Sequence, residues 1–189
     1  MGRKQAFTRT ELLDNTKKLL LEYGYDGFTL KLLSNTLVGA RSTIYQYYSN
    51  KEEIVAACMK NIMEKVLHQT SQVDESGCME ALQQLLTIYV GESKFHQLLS
   101  YASKLNGMTS TQVEQDLQFI EEGHIQLKEQ LNRLFVCAQK EGNIDGNIPL
   151  PAVIAVFFNL IDAPNMMNLP ASQWSKLLFQ IWLGGVGKK

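Results

Sequence analysis

No stretch of this chain approaches the roughly 20 consecutive apolar residues that a membrane-spanning helix requires, so no membrane partner is expected. The opening MGRKQAF is basic but has no apolar segment behind it, so no secretory leader is expected either. Cysteine is scarce: Cys58, Cys78 and Cys137 are odd in number and contain no C-x-x-C spacing. That argues against a disulfide or metal framework and for reduced, buried thiols. Sustained period-2 runs of β-branched residues are absent, which argues against sheets. Catalytic fingerprints are also missing, with no G-x-S-x-G, H-E-x-x-H, P-loop or dinucleotide-binding glycine pattern. Neighbouring carboxylates such as Glu52-Glu53 and Glu121-Glu122 fall on helices, where adjacent side chains point apart, so they read as solvated faces. Neither an enzyme nor a cofactor is expected. The three histidines lack ligand spacing with one another or with a cysteine, so no metal is expected.

The 189 residues are 45% hydrophobic and 20% charged, enough to bury a real core. The net charge of −1 hides an asymmetry. Residues 1–51 carry +4, from eight Lys/Arg against four acids, and the remainder carries −5. A basic first quarter on an acidic body suggests one end that faces a polyanion.

Helical grammar runs almost throughout. Thr8-Arg9-Thr10-Glu11 fits a capping box, followed by Leu12, Leu13, Thr16, Leu19, Leu20 and Tyr23 at helical spacing, with Gly24 as a stop. A short helix follows Thr29, a turn lies near Val38-Gly39, and a third helix covers about Ala40 to Tyr47. Asn50 and Glu53 form a second capping box, for a helix to about His68. Ser76 is placed to cap a helix to about Val90, and a short segment from Glu92 to Ser103 follows. The longest helix spans about Thr111 to Lys140, with Val113, Leu117, Ile120, His124, Leu127, Leu131, Leu134 and Ala138 as its apolar seam. Pro151 and Pro170 suit the starts of the last two helices. The fold expected is all-α with about nine helices, divided into residues 1–52 and 53–189.

The densest chemistry lies in GARSTIYQYYSNKEE, where an arginine, two hydroxyl residues, a glutamine and three tyrosines fall between Arg41 and Tyr48. Two short helices around a tight turn make a helix-turn-helix candidate. On the second of them Ile44 and Tyr48 pair one turn apart and should face the core, leaving the donors around the exposed side. Arg41 is able to grip guanine O6 and N7 in bidentate fashion. Ser42 and Thr43 are short donors, Tyr45 and Tyr47 are long stiff ones, and Lys51 adds charge at the next helix start.

The segment Leu12 to Ile54, including LLLEYGYDGFTLKLLSNTLVGARSTIYQYYSNKEEI, resembles the DNA-binding domain of the TetR family of bacterial transcriptional regulators. Tyr23-Gly24-Tyr25 matches the family's aromatic-glycine-aromatic helix end. Thr29 matches its second-helix threonine, and STIYQYYSNKEE matches its recognition helix with the lysine-glutamate start that follows. The resemblance implies that Arg41 and Ser42 touch bases, while Thr43, Tyr45, Gln46, Tyr47 and Lys51 hold the DNA backbone. Thr29 would either bond a phosphate or cap its helix. Arg3 and Lys4 are candidates for a flexible arm on DNA. The chain departs from the family at Leu37-Val38-Gly39-Ala40, where the glycine comes one position late and alanine replaces the capping serine, and at Ser42, where glycine is usual.

The resemblance further implies a C-terminal helical domain that binds a ligand and dimerises. It also implies a cytoplasmic, ligand-responsive regulator, commonly a repressor, that binds a palindromic double-stranded DNA operator as a homodimer. The alternative is a helical ligand-binding or protein-interaction module without operator-specific DNA binding. Val153, Phe157, Ile161, Trp174, Leu178, Ile181 and Trp182 on the last two helices cover more than one face, and one face is expected to meet a second subunit. Candidates for lining a ligand pocket are Met59, Met63, Tyr89, Phe95, Tyr101, Phe119, His124 and Phe158. Their aromatic and methionine content favours a small hydrophobic ligand.

Overall fold

The computed structural model describes residues 7–37, 41–92, 98 and 100–187. Among these the chain forms eight α-helices: α1 (Arg9–Gly27), α2 (Leu30–Asn35), α3 (Arg41–Ile44), α4 (Lys51–Ser71), α5 (Cys78–Gly91), α6 (Thr111–Lys140), α7 (Leu150–Ile161) and α8 (Ala171–Val186). Two 3-10 turns, Ser100–Lys104 and Gly107–Thr109, precede α6. The described residues include no strand, only an isolated bridge between Ile144 and Gly187. Part of the expected segment from Glu92 to Ser103, and the departures at Val38, Gly39 and Ala40, lie outside the described residues, as do Arg3 and Lys4.

Local chemistry accounts for most helix boundaries. Thr8 accepts from the Glu11 amide at 3.1 Å while the Glu11 carboxylate accepts from the Thr8 amide at 2.7 Å, closing the expected box. The Thr8 amide, together with the Thr8 hydroxyl, which donates to the same carboxylate at 3.0 Å, holds the Glu11 carboxyl below its ordinary range. Gly24 has φ +69°, a conformation open to glycine, and it kinks α1 rather than ending it; the helix resumes to Gly27. Asn50 accepts from the Glu53 amide at 2.8 Å, and the Glu53 carboxylate takes the Ser49 amide at 2.7 Å. Ser76 does not cap α5. Its amide and hydroxyl both bond Asp74, and the N-cap is Gly77, with no side-chain hydrogen bond.

The chain divides into two compact units. The first comprises residues 1–64 with 94–122, the second 65–93 with 123–189, and α4 and α6 each contribute to both. In the first unit, Leu12, Leu20, Phe28, Leu33, Ile44 and Ile54 are fully buried. Thr16 joins that core because its hydroxyl donates back to the Leu12 carbonyl at 2.8 Å. Buried Asp116 on α6 pairs with Lys60 of α4 at 3.1 Å and also accepts from Gln112, so the buried charge is compensated.

In the second unit, α5 packs along α8, and the hydroxyls of Thr87 and Ser175 meet at 2.8 Å. Its centre is aromatic. Phe135 and Phe157 meet edge to face at 5.0 Å, and Trp182 meets Phe157 at 5.3 Å and Phe135 at 6.0 Å. This arrangement corrects the expected dimer surface. Val153, Phe157, Ile161, Leu178 and Trp182 are spent inside the single chain, each less than 10% exposed, and so are not available to a partner. The seam of α6 is as expected except at one turn: His124 is exposed and Gly123 takes the buried position.

The cysteine expectation also needs correction. Cys58 is buried against the Leu13 carbonyl. Cys78 and Cys137 instead form a disulfide across 59 residues of sequence. Helix packing, not sequence spacing, brings them together.

Truncation should separate core from surface. Phe157→Ala is expected to destabilise the fold by about 3–5 kcal/mol, because it empties the centre of the aromatic cluster. Met108→Ala, at a residue 95% exposed, should stay within about 0.5 kcal/mol. Urea unfolding followed by circular dichroism measures both.

Candidate nucleic-acid interface

The short helix α3 continues as one further turn, with the amides of Tyr47 and Tyr48 both bonded to the Ile44 carbonyl at 3.0 Å. Its two inward side chains hold it. Ile44 is fully buried and Tyr48 is 6% exposed. Tyr48 does not bury its hydroxyl unpaired, because Arg9 of α1 donates Nε to it at 3.0 Å. Burial raises the Tyr48 phenol above its ordinary value and the nearby guanidinium opposes that shift.

With those two turned in, the others turn out. Ser42, Tyr45 and Gln46 are exposed, and Thr43 and Tyr47 are half-buried. Arg41 opens α3. Tyr47 is held from the N-terminal side: its ring lies 6.1 Å from that of Phe7, and its hydroxyl donates to the Phe7 carbonyl at 3.3 Å. Thr29 caps α2 by accepting from the Leu32 amide at 3.1 Å, and it remains exposed.

Lys51, at the start of α4, is half-buried, with its ammonium 4.3 Å from the centre of the Tyr25 ring. Tyr25 also reaches Glu52 at 3.5 Å and stacks obliquely on Tyr101 at 6.2 Å. Asp26 beside it is paired with Lys104, which holds its carboxyl below the ordinary range. Tyr25 therefore joins the end of α1 to the start of α4.

Sequence reasoning assigned no role to Phe7 or Arg9. Phe7 precedes the Thr8 cap and Leu12 follows four residues after it, the pattern of a hydrophobic staple, so a signal for its burial was present. No local pattern signals the link from Arg9 to Tyr48, which spans 39 residues of sequence.

The candidate pocket residues are distributed over both units. In the first unit, Met59 and Met63 are buried and Tyr101 and Phe119 half-buried, the latter with Lys60 Nζ 5.3 Å from its ring. In the second, Tyr89 is buried, Phe158 half-buried and His124 exposed. Phe95 lies outside the described residues. Among the described residues, open clefts of about 360 and 350 Å³ lie in the second unit, and neither of these two is lined by any of the candidates. The Tyr89 hydroxyl is buried with no hydrogen-bond partner among the described residues, and burial pushes its phenol well above the ordinary range.

Comparison with known proteins agrees with this geometry. The family described as "Bacterial regulatory proteins, tetR family" matches residues 12–58, which cover α1 to α3 and the start of α4. The HTH-type transcriptional repressor AcnR of Corynebacterium diphtheriae is 27% identical over 81 residues, 43% of this chain and 41% of that protein. The match thus spans less than half the length of that curated relative. Across the whole fold, the ketosteroid transcriptional regulator KstR2 of Mycobacterium tuberculosis superposes with a TM-score of 0.79 at 17% identity, covering 99% of this chain and 100% of that one. AibR, solved in complex with isovaleryl coenzyme A and operator DNA, gives 0.72 at 16% identity over 92% of this chain and 96% of that one. A head whose sequence matches the tetR family of bacterial regulatory proteins over residues 12–58 thus lies within a chain whose fold is similar to that of these solved structures.

Proposed function

We propose that this protein is a cytoplasmic, ligand-responsive transcriptional repressor that binds a palindromic operator as a homodimer. Residues 1–52 form the DNA-binding domain and residues 53–189 the ligand-binding and dimerisation domain. The observation that carries the reading is α3, with Ile44 and Tyr48 turned inward and Ser42, Tyr45 and Gln46 turned outward. Arg41 and Ser42 read base edges in the major groove. Thr43, Tyr45, Gln46, Tyr47 and Lys51 hold phosphates, and Thr29 adds an exposed hydroxyl beside them. Tyr47 and Lys51 are already steadied by Phe7 and Tyr25, so they lose little freedom on binding.

Dimerisation uses the outer face of α7 and α8, which includes only part of the set of seven residues first expected. Ala152, Ala155, Val156 and Asn159 recur at helical spacing on α7 and are all exposed; Ile181, Gly184 and Gly185 are exposed on α8. Val156 and Ile181 are 51% and 64% exposed, large values for apolar residues. Small neighbours let two helix pairs approach closely. Of the residues first expected there, Ile181 stays in the interface, and Trp174, half-buried with Nε1 donating to Ala163, lies at its edge. A two-fold pair of this kind presents two recognition helices one DNA turn apart, roughly 34 Å.

The ligand class is a hydrophobic acyl compound, with a coenzyme A thioester as the leading case because AibR binds one. Tyr89 supplies a buried phenol, without a partner among the described residues, as donor to a ligand carbonyl. Ligand and operator oppose one another through a coupling of about 1–3 kcal/mol.

Three measurements test these assignments. In gel-shift titrations on the promoter beside the gene, Arg41→Ala should cost about 1–3 kcal/mol and relax base preference at one position, whereas Lys51→Ala should weaken every duplex alike and flatten the salt dependence. Specific binding that is indifferent to both changes would move the DNA contacts away from Arg41 and Lys51, and no specific binding at all would favour a helical module without an operator. Ile181→Glu should shift sedimentation from dimer to monomer, and a dimer that survives it moves the interface elsewhere. Isothermal titration with isovaleryl coenzyme A should show Tyr89→Phe binding about tenfold more weakly, the loss of one buried hydrogen bond; equal affinity removes Tyr89 from the ligand site.

A further inference from the structure

Cys78 opens α5 and Cys137 lies near the end of α6, with Cα atoms 6.1 Å apart. That separation falls within the roughly 4.4–6.8 Å over which a disulfide closes without backbone movement. The two sulfurs differ in surroundings. Cys78 is buried at the start of α5, while Cys137 is half-exposed. Glu141, one turn beyond Cys137, brings Oε1 within 3.6 Å of the Cys137 sulfur, and its other oxygen accepts from Asn143 at 3.1 Å. Asn143 also lines the open cleft of about 360 Å³, together with Met79 and Glu80, the two residues after Cys78. A small solute entering that cleft therefore arrives beside Asn143 and the two residues that follow Cys78.

We propose that Cys78 and Cys137 form a reversible modification site, a dithiol that hydroperoxides oxidise to the disulfide tying the start of α5 to the end of α6. The inference rests on the cytoplasmic placement proposed above, where a reducing environment keeps such a pair as thiols until an oxidant arrives. Cys137, the accessible partner, passes its proton to Glu141 or water and attacks one peroxide oxygen. The O–O bond breaks, an alcohol or water leaves, and Cys137 becomes a sulfenic acid. Cys78 then attacks that sulfur and the hydroxyl departs with the Cys78 proton as water, closing the S–S bond. Two thiols give up two electrons and two protons, and one hydroperoxide is reduced to an alcohol and water. Attack by a low-molecular-weight thiol on the accessible Cys137 sulfur reverses the reaction. Cys58, buried in the other unit, takes no part.

The test uses the full chain, reduced with dithiothreitol, freed of reductant and titrated with hydrogen peroxide. Titratable thiols in denaturant should fall from three to one, with an intact mass lower by two hydrogens, and dithiothreitol added to the folded protein should restore all three. Closing so long a loop should raise the melting temperature by roughly 10 °C. Cys137→Ser should abolish both the cross-link and the thermal shift, and Cys58→Ser should change neither. Three outcomes would overturn the proposal. One is oxidation of Cys137 to the sulfinic acid without a cross-link. Another is a bond that dithiothreitol cannot open in the folded protein. The third is stoichiometric zinc retained by the reduced protein and lost in Cys137→Ser, which would make Cys78, Cys137 and Glu141 a metal site. None of these readouts involves DNA, so failure here leaves the regulator reading standing, and failure of operator binding leaves this one standing.

Discussion

A helix as short as α3 cannot hold itself together in water, because one turn of hydrogen bonds does not offset the entropy of ordering it. Everything this protein presents on that helix depends on two side chains beneath it. Ile44 and Tyr48 supply the buried area, and Arg9 makes burial of the Tyr48 hydroxyl tolerable by donating to it. Without that pair the exposed serine, tyrosine and glutamine would belong to a loop, with no common direction. The core of the first unit is therefore a means of aiming polar groups, and the same is true of Phe7 beneath Tyr47 and Tyr25 beneath Lys51.

The second unit follows a different economy. Its centre is an edge-to-face cluster of Phe135, Phe157 and Trp182, drawn from three helices. Those large rings fill the inward faces of α7 and α8, and the outward faces carry Val156, Ile181, alanines and glycines alongside polar residues such as Asn159 and Lys176. A helix with two apolar faces can be recognised from periodicity, but which face is spent internally depends on what lies opposite. The larger side chains, expected at the partner surface, form the core of the second unit, where rings from three helices surround one another.

Electrostatics and thiol chemistry follow the same division between near and far in sequence. The carboxyl shifts of Glu11 and Asp74 come from partners within three residues, and such contacts reflect helix and turn grammar. Lys60 with Asp116, and Cys78 with Cys137, are separated by more than 50 residues and meet only through packing. An odd, scattered set of cysteines carries no information about which two will become neighbours.

The sequence by itself determined the all-α class, the bounds of α6, the caps at Thr8 and Asn50, and the inward turn of Ile44 and Tyr48. Each of these is a local matter, decided by residues a few positions apart through hydrogen bonds and helical period. Tertiary structure alone decided the Arg9–Tyr48 bond, the cysteine pair, the exposure of His124 in favour of Gly123, and which faces of α7 and α8 are interior. Glycine at 123 shows the reason most plainly. A 4-3 spacing places both 123 and 124 near the seam, and the choice between them turns on the space left by neighbouring helices, a quantity that no short window of sequence contains.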